Sequence, residues 1–159
     1  MASGAVLTGG ASRRMGTDKA ALMAHVAMAA LRDAGIDEIV RIGGDAGDVP
    51  DDHPGEGPLG GILTALRQSA DDVVMVLACD LPSIDGPTVA AVLAALGPGH
   101  DVAAPPGEPL CAAYRRSCLP VLERLFADGE RSPRRAVSSL TVATVEVPDP
   151  SRLIDRDTP

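Results

Sequence analysis

The sequence has almost no aromatic residues: its 159 residues include one tyrosine, one phenylalanine and no tryptophan. The core must therefore be built from alanine, valine, leucine and isoleucine. Without aromatic side chains on which bases can stack, the chain does not fit a single-stranded nucleic-acid-binding protein. A basic surplus is also missing, because the formal net charge is −8, whereas proteins that bind polyanions are basic. We therefore expect no nucleic-acid partner, and any anionic ligand must meet a local cationic cluster.

Cysteines and long apolar runs are also scarce. The three cysteines, Cys79, Cys111 and Cys118, are an odd number without the spacing of metal ligands, which favours a reduced cytosolic compartment. The N-terminus has no basic region followed by an apolar stretch, and no apolar run approaches the roughly 18 residues that span a membrane. We expect a cytoplasmic protein without membrane contact, and the length predicts a single domain over residues 1–159.

The sequence does contain a regular alternation of short apolar runs and amphipathic segments. Helical spacing of apolar residues, with Pro or Gly at the boundaries, predicts helices at residues 18–34, 58–69, 87–96, 119–126 and 133–140. Apolar or alternating runs predict strands at residues 5–7, 38–42, 73–78, 102–104, 110–114 and 141–147. The near-continuous apolar run at 73–78 is typical of a central strand covered on both faces. This alternation predicts a layered α/β fold with a mainly parallel sheet.

Three unusual segments follow the first three predicted strands, at residues 8–19, 43–57 and 79–84. In open α/β sheets, ligands bind outside the carboxyl ends of the strands. Because parallel strands share that edge, we expect the three segments to meet there and to form the binding site.

The first segment, in the stretch "LTGGASRRMGTDKA", combines glycines with cations. Gly9 and Gly10 permit tight turns, and loop amides near a helix N-terminus are able to point at phosphate oxygens. Arg13, Arg14 and Lys19 add cationic donors suited to phosphate. The spacing fits neither a Walker A loop nor Gly-x-Gly-x-x-Gly. The segment is therefore either a phosphate-binding loop or a surface loop with solvated arginines.

Carboxylates at the predicted edge suggest a metal site. Asp80 ends the most hydrophobic strand, where its oxygens suit Mg²⁺, a hard cation that often bridges substrate phosphates. The alternative is a capping or turn role before Pro82. Asp155 and Asp157 in the polar tail are candidates for a second carboxylate, or are simply solvated.

The segment "GEGPLGG" is a backbone-exposing turn that opens a helix. Its main-chain groups suit a flat polar ligand, unless it is a plain turn with proline at the helix start. Asp51 and Asp52 just before it are able to accept hydrogen bonds from a donor-rich base such as guanine, or are ordinary loop acids. A cluster of arginines in "GERSPRRA" suits a second anionic substrate or is a solvated helix start: Arg131, Arg134 and Arg135.

In their order, the motifs "LTGGASRRMGTDKA", "DDHPGEGPLGGI", "VLACDLPSI", "PLCAAYRR" and "DTP" resemble the molybdenum cofactor guanylyltransferase (MobA) family over nearly the whole chain. The resemblance implies a three-layer, Rossmann-like nucleotidyltransferase fold with a mainly parallel, mixed sheet. It implies transfer of GMP from GTP to the phosphate of molybdenum-molybdopterin with release of pyrophosphate, using Mg²⁺ and no covalent intermediate. The N-terminal part would bind GTP and the C-terminal part the pterin substrate. Transient contacts with molybdenum cofactor insertion proteins are also expected.

The same resemblance assigns roles to individual residues. It implies catalytic roles for Arg14, Lys19 and Asp80, with metal binding by Asp80 and Asp157. Asp51 or Asp52 would contact the guanosine, and the arginines Arg131, Arg134 and Arg135 would meet the pterin substrate. The nucleotide pocket would be completed by Leu7, Thr8, Gly9, Gly10, Gly16, Gly57, Pro58 and Leu59.

Two departures from the family pattern keep other functions open. The family usually has a short strand and a Gly-x-Pro-Leu element after its Asp-Lys pair, whereas here Asp18-Lys19 leads directly into a helix. The family also commonly has alanine where this chain has Thr8. The alternatives are a related nucleotidyltransferase that uses CTP or another acceptor, and a non-catalytic nucleotide-binding homologue.

Overall fold

The computed structural model describes residues 1–9, 17–44 and 47–154, with only the backbone of residues 17–20. The strands are β1 (Ala2–Leu7), β2 (Ile39–Ile42), β3 (Val73–Ala78), β4 (Val102–Ala104), β5 (Cys111–Arg115) and β6 (Val142–Thr144). The α-helices are α1 (Thr17–Asp33), α2 (Pro58–Gln68), α3 (Gly86–Ala95), α4 (Leu119–Ala127) and α5 (Pro133–Val137). Short 3-10 turns occupy Arg116–Cys118 and Pro150–Leu153.

The six strands form one sheet in the order β2-β1-β3-β5-β4-β6. Strand β1 lies between β2 and β3 and is parallel to both. Strand β5 is antiparallel to both of its neighbours, β3 and β4, and β6 pairs with β4 in parallel. The prediction of a mainly parallel, mixed sheet is therefore confirmed. The carboxyl ends of β1, β2 and β3 lie side by side at one edge.

Helices cover both faces of the sheet, which gives three layers. Successive strand residues point to opposite faces, so Val74 and Val76 join one buried cluster while Met75 and Leu77 join the other. The first cluster packs the sheet against α2, α4 and α5, and the second packs it against α1 and α3. The core is mostly aliphatic, as the composition predicts, and both aromatic side chains, Tyr114 and Phe126, lie in the first cluster.

Three element boundaries differ from the sequence prediction by more than one residue. Strand β1 begins at Ala2 rather than residue 5, because it pairs with β3 along its whole length. Strand β6 spans only three residues, because its partner β4 is no longer than that. Helix α5 ends at Val137 rather than residue 140, and the Ser138 hydroxyl donates a hydrogen bond to the Arg135 carbonyl at this end.

No helix within the described ranges is both long and apolar enough to cross a bilayer.

Candidate active site

The segments after β1, β2 and β3 meet at the carboxyl edge of the sheet. Thr8 is fully buried, its backbone N–H donates to the Ile42 carbonyl at 2.9 Å, and its hydroxyl faces the carbonyls of Ile42 and Gly43. The Cys79 N–H donates to the Leu7 carbonyl at 3.3 Å. The predicted convergence of these segments is confirmed at their first residues, because parallel neighbouring strands end at the same edge.

Two glycines bring the backbones after β1 and β2 into close approach. A methyl group added at Gly43 would lie 3.3 Å from the Gly9 Cα, and one added at Gly9 would lie 3.7 Å from the Gly44 nitrogen. Gly43 also has a φ of +80°, a backbone conformation that residues with a side chain rarely adopt. The edge therefore presents main-chain atoms rather than side chains at this point.

The end of β3 carries a buried thiol and a half-buried carboxylate. Burial raises the pKa of Cys79 to about 11, and the negative charge of Asp80 adds to the effect. The thiol is therefore protonated at neutral pH, and Asp80 carries the negative charge at this strand end. Within the described residues, no group of three or more His, Cys, Asp or Glu side chains forms a metal site. Mg²⁺ is usually bound through one or two carboxylates together with water and substrate phosphates, so a carboxylate such as Asp80 suits it.

Asp51 lies beside the end of β2 and is held by neighbouring donors. Its Oδ1 accepts hydrogen bonds from the His53 N–H at 2.7 Å and from the Thr64 hydroxyl at 3.4 Å. Its Cβ lies 3.4 Å from the position that a Gly43 methyl would occupy. Asp51 is thus close to the glycine backbone of the edge.

Asp52 points to a different part of the surface. Its carboxylate accepts a hydrogen bond from the Arg67 Nη1 at 2.9 Å, and the Arg67 Nη2 reaches the Glu123 Oε2 at 2.6 Å. These two acceptors raise the pKa of Arg67, with Glu123 contributing first. Arg67 of α2 therefore bridges Asp52 and Glu123 of α4, whereas Asp51 faces the sheet edge.

The 51–57 loop is also anchored by a stack of side chains that sequence reasoning missed. The His53 ring packs against Phe126 with centroids 4.4 Å apart, and the Arg131 guanidinium lies 3.8 Å from the Phe126 centroid. The Arg131 Nη2 donates to the Glu56 Oε1 at 3.0 Å. His53 had no evident role from the sequence, and the single phenylalanine was the only hint of this stack.

The three arginines of the predicted pterin-binding cluster have different partners. Arg131 pairs with Glu56, and the Arg134 Nε donates to the Gly107 carbonyl at 3.0 Å. Arg135 pairs with Glu130 at 3.1 Å and lowers the pKa of that carboxyl, yet its own side chain is 75% exposed. Arg134 and Arg135 are therefore both exposed, whereas Arg131 is half-buried.

Helix α2 begins at the same edge without a side-chain cap at its N-terminus. Gly57 precedes it with a φ of +94° and no side-chain cap, and Pro58 occupies the first turn. The first-turn amides of a helix are able to face a ligand when no side chain caps them. The Leu59 side chain, by contrast, is fully buried in the core, so only its backbone remains for a ligand.

Several predicted residues lie outside the described structure. Lys19 falls in the first turn of α1, where the backbone alone is described. The others are Gly10, Arg13, Arg14, Gly16, Asp155 and Asp157.

Comparison with known proteins identifies the family. Residues 4–145 match the model of the MobA-like NTP transferase domain. The chain is 36% identical to the probable molybdenum cofactor guanylyltransferase of Chloroflexus aggregans, over 88% of this chain and 78% of that protein. The corresponding protein of Opitutus terrae is 37% identical, over 87% and 78%. The molybdopterin-guanine dinucleotide biosynthesis protein A of Archaeoglobus fulgidus has a similar structure, with a TM-score of 0.75 and 25% identity over 100% of this chain and 93% of that one. The predicted resemblance and fold class are confirmed, and the chain belongs to the MobA-like NTP transferase family.

Proposed function

We propose that this protein transfers GMP from GTP to the phosphate of molybdenum-molybdopterin and releases pyrophosphate. The observation that carries the proposal is the meeting of Thr8, Gly9, Gly43 and Cys79, next to Asp80, at one sheet edge. This arrangement occurs in a chain whose relatives are named molybdenum cofactor guanylyltransferases. Within residues 1–159, the N-terminal part would bind the nucleotide and the C-terminal part the pterin substrate.

The phosphate end of GTP is proposed to lie against the backbone of Leu7, Thr8 and Gly9. The close approach of the Gly9 and Gly43 backbones supports this position, because glycine leaves no side chain between the main chain and a ligand. Lys19, in the first turn of α1, and Arg14 would donate to the phosphates, with Gly10 and Gly16 completing the loop.

Asp51, rather than Asp52, is proposed to contact the guanosine. Asp51 lies next to Gly43 at the edge, whereas the Asp52 carboxylate is occupied by Arg67 at 2.9 Å. The exposed backbone at Gly57 and Pro58, with the Leu59 main chain, would border the base.

Asp80 is proposed to hold Mg²⁺ through its carboxylate oxygens, with Asp157 as the second candidate ligand. The fit is supported by the chemistry of the donor, a carboxylate at a strand end beside the proposed phosphate position. When bound, Mg²⁺ supplies positive charge that offsets charge on the α-phosphate and on the departing pyrophosphate.

The reaction is proposed to proceed by direct displacement. An oxygen of the acceptor phosphate attacks the α-phosphorus in line, the bond from this phosphorus to the bridging oxygen breaks, and pyrophosphate leaves with that oxygen. The chain's own groups position the triphosphate and stabilise its charge, and catalysis rests on both effects. The raised pKa values of the buried thiols, about 11 for Cys79 and about 12 for Cys111 and Cys118, argue against a cysteine nucleophile at neutral pH.

The acceptor is proposed to meet the arginines of the C-terminal part at Arg135. Its side chain is 75% exposed and forms an ion pair with Glu130, which a phosphate is able to replace. Arg134 stands on the same helix and donates from its Nε to the Gly107 carbonyl.

The proposal is tested by mixing the protein with Mg²⁺, molybdenum-molybdopterin and either GTP or CTP. We expect pyrophosphate release with GTP. Preference for CTP would overturn the choice of base, and GTP binding without turnover would indicate a non-catalytic homologue. Lys19→Ala should weaken GTP binding, Asp80→Ala should abolish Mg²⁺-dependent turnover, and Asp37→Ala, an exposed carboxylate just before β2, should have no effect.

The sequence offers a second test at Lys19, because it is the chain's only lysine. Acylation of amines should therefore modify Lys19 and the N-terminal amine alone. We expect GTP with Mg²⁺ to protect Lys19 and to leave the N-terminal amine reactive. Equal modification of Lys19 with and without GTP would contradict its place at the phosphates.

A further inference from the structure

The 51–57 loop contacts the C-terminal half of the chain at Arg131 and Phe126. The Arg131 Nη2 donates to the Glu56 Oε1 at 3.0 Å, and the Arg131 carbonyl oxygen lies 4.0 Å from the position of a Gly57 methyl. The Arg131 guanidinium also lies 3.8 Å from the Phe126 centroid, and the same ring packs against His53. Arg131 and Phe126 thus contact two side chains of the loop, Glu56 and His53, and the His53 Nε2 also lies 3.3 Å from the Arg67 Nη1.

Arg131 is itself fixed by its own neighbours. Its Nη1 donates to the carbonyls of Phe126 at 2.7 Å and Glu130 at 3.0 Å, and its backbone N–H donates to the Glu130 carboxylate at 2.9 Å. Three of the five guanidinium N–H groups are therefore engaged, and the group lies over the Phe126 ring. A guanidinium held in this way is suited to positioning rather than to capture of an incoming phosphate.

The anchored His53 is one of two donors that hold Asp51, and the Thr64 hydroxyl is the other. The His53 N–H donates to the Asp51 Oδ1 at 2.7 Å, so a displacement of His53 also displaces the carboxylate. We propose that Arg131 is a positioning residue for the nucleotide, which holds the 51–57 loop in its binding position through Glu56 and Phe126. This inference rests on the proposed function, in which Asp51 contacts the nucleoside.

The experiment compares Arg131→Ala, Glu56→Ala and the double variant with the wild type in steady-state assays with Mg²⁺. Each single variant should raise KM for GTP about fivefold at saturating molybdenum-molybdopterin and leave kcat within about twofold, a loss of about 1 kcal/mol at 1.4 kcal/mol per tenfold. The double variant should raise KM no further than Arg131→Ala does, because the contact with Glu56 is already lost in that variant. Arg131→Lys should recover part of the loss, because lysine retains the charge without the planar stack.

Arg152→Ala is the matched control. Arg152 forms ion pairs with Asp85 and Asp149, and its side chain is 44% exposed, close to the 41% of Arg131. Its neighbour Leu153 packs on the opposite face of the sheet. We expect wild-type KM for GTP in this variant. Hydrogen exchange at residues 53–57 of the free protein should accelerate in Arg131→Ala and Glu56→Ala and stay unchanged in Arg152→Ala.

Three outcomes would overturn the inference: a rise in KM for the pterin substrate with unchanged KM for GTP, additive effects in the double variant, or an equal effect in Arg152→Ala. If Arg131→Ala does not fold, Glu56→Gln carries the same test, because it removes only the charge of an exposed carboxylate. A wild type that prefers CTP would refute the proposed base, and the variants measured with CTP would still decide the role of Arg131. A wild type that binds no nucleoside triphosphate would refute both.

Discussion

Replacing Gly60 by alanine tests whether close packing under the 51–57 loop sets the geometry of the site. Gly60 is buried in α2, and a methyl group there would lie 2.8 Å from the His53 Cβ and 3.4 Å from the His53 carbonyl oxygen. Contacts below 3.0 Å force atoms to move, and a Cβ next to the backbone has little freedom. The loop must therefore shift, and Asp51, which accepts from the His53 N–H, must shift with it.

Two opposing energies decide the sign of the effect on stability. Overpacking of a core costs typically about 1–3 kcal/mol. Alanine in place of glycine inside a helix stabilises the folded state by about 1 kcal/mol. We expect a net loss of about 1 kcal/mol in the free energy of unfolding, which for a chain of this length lowers Tm by about 2–4 °C. KM for GTP should rise in the same variant.

Gly61→Ala in the same helix is the control for Gly60→Ala. Its methyl group would meet the tip of the Leu7 side chain, with Cδ2 at 3.2 Å and Cδ1 at 3.4 Å. A flexible side-chain tip is able to move by a few tenths of an ångström, so the gain in helix propensity should offset the contact. Urea denaturation of both variants measures the difference. The reasoning is refuted if Gly60→Ala is as stable as the wild type, or as stable as Gly61→Ala.

Three further predictions concern the core and the edge. Tyr114→Phe should lower the free energy of unfolding by about 1 kcal/mol in urea denaturation, because the buried hydroxyl donates to the Pro109 carbonyl at 2.6 Å; an unchanged value would contradict this role. Thr8→Val should cost about 1–2 kcal/mol, because the Gly43 carbonyl loses its donor, and Thr8→Ser should retain that hydrogen bond. Buried thiols should make the protein alkali-sensitive: the folded pKa is about 11 for Cys79 and about 12 for Cys111 and Cys118, above the unfolded value of about 8.5. Each thiol contributes fully to the free energy of unfolding below its unfolded pKa. As the pH rises towards the folded pKa, each thiol loses about 1.4 kcal/mol of that contribution per pH unit. Urea midpoints between pH 8 and 11 should fall steeply in the wild type and less in Cys111→Ala, and equal slopes would contradict this account.

Much of the fold was predictable because it depends on local pattern. The run at 73–78 has the unbroken hydrophobicity of a strand that is covered on both faces, and β3 indeed lies inside the sheet with α1 and α3 on one side and α2 on the other. Proline at the first turn of α2 and α3 marked their beginnings within one residue. Strand length at the sheet edge was not predictable from local pattern, because the three residues of β4 limit how far β6 is able to pair.

The candidate site, too, has features that the sequence predicts and features that only the fold shows. Glycine after a strand and aspartate at a strand end are visible as motifs, and parallel pairing then brings Thr8, Gly43 and Cys79 to a common edge. The two adjacent acids could not be distinguished from the sequence. Only folding shows that Asp52 is taken by Arg67, from 15 residues further along the chain, while Asp51 faces Gly43.

The sequence predicts the alternation of strands and helices, the aliphatic core and the order of motifs that place the chain in its family. These properties are written in residue type and spacing, and they need no knowledge of distant contacts. The tertiary structure alone decided which charges are engaged: Arg131 with Glu56 and Phe126, Arg134 with Gly107, and Arg135 mostly exposed. The physical reason is that an arginine's partner depends on which distant loop packs against it, and these partners lie up to 75 residues away along the chain.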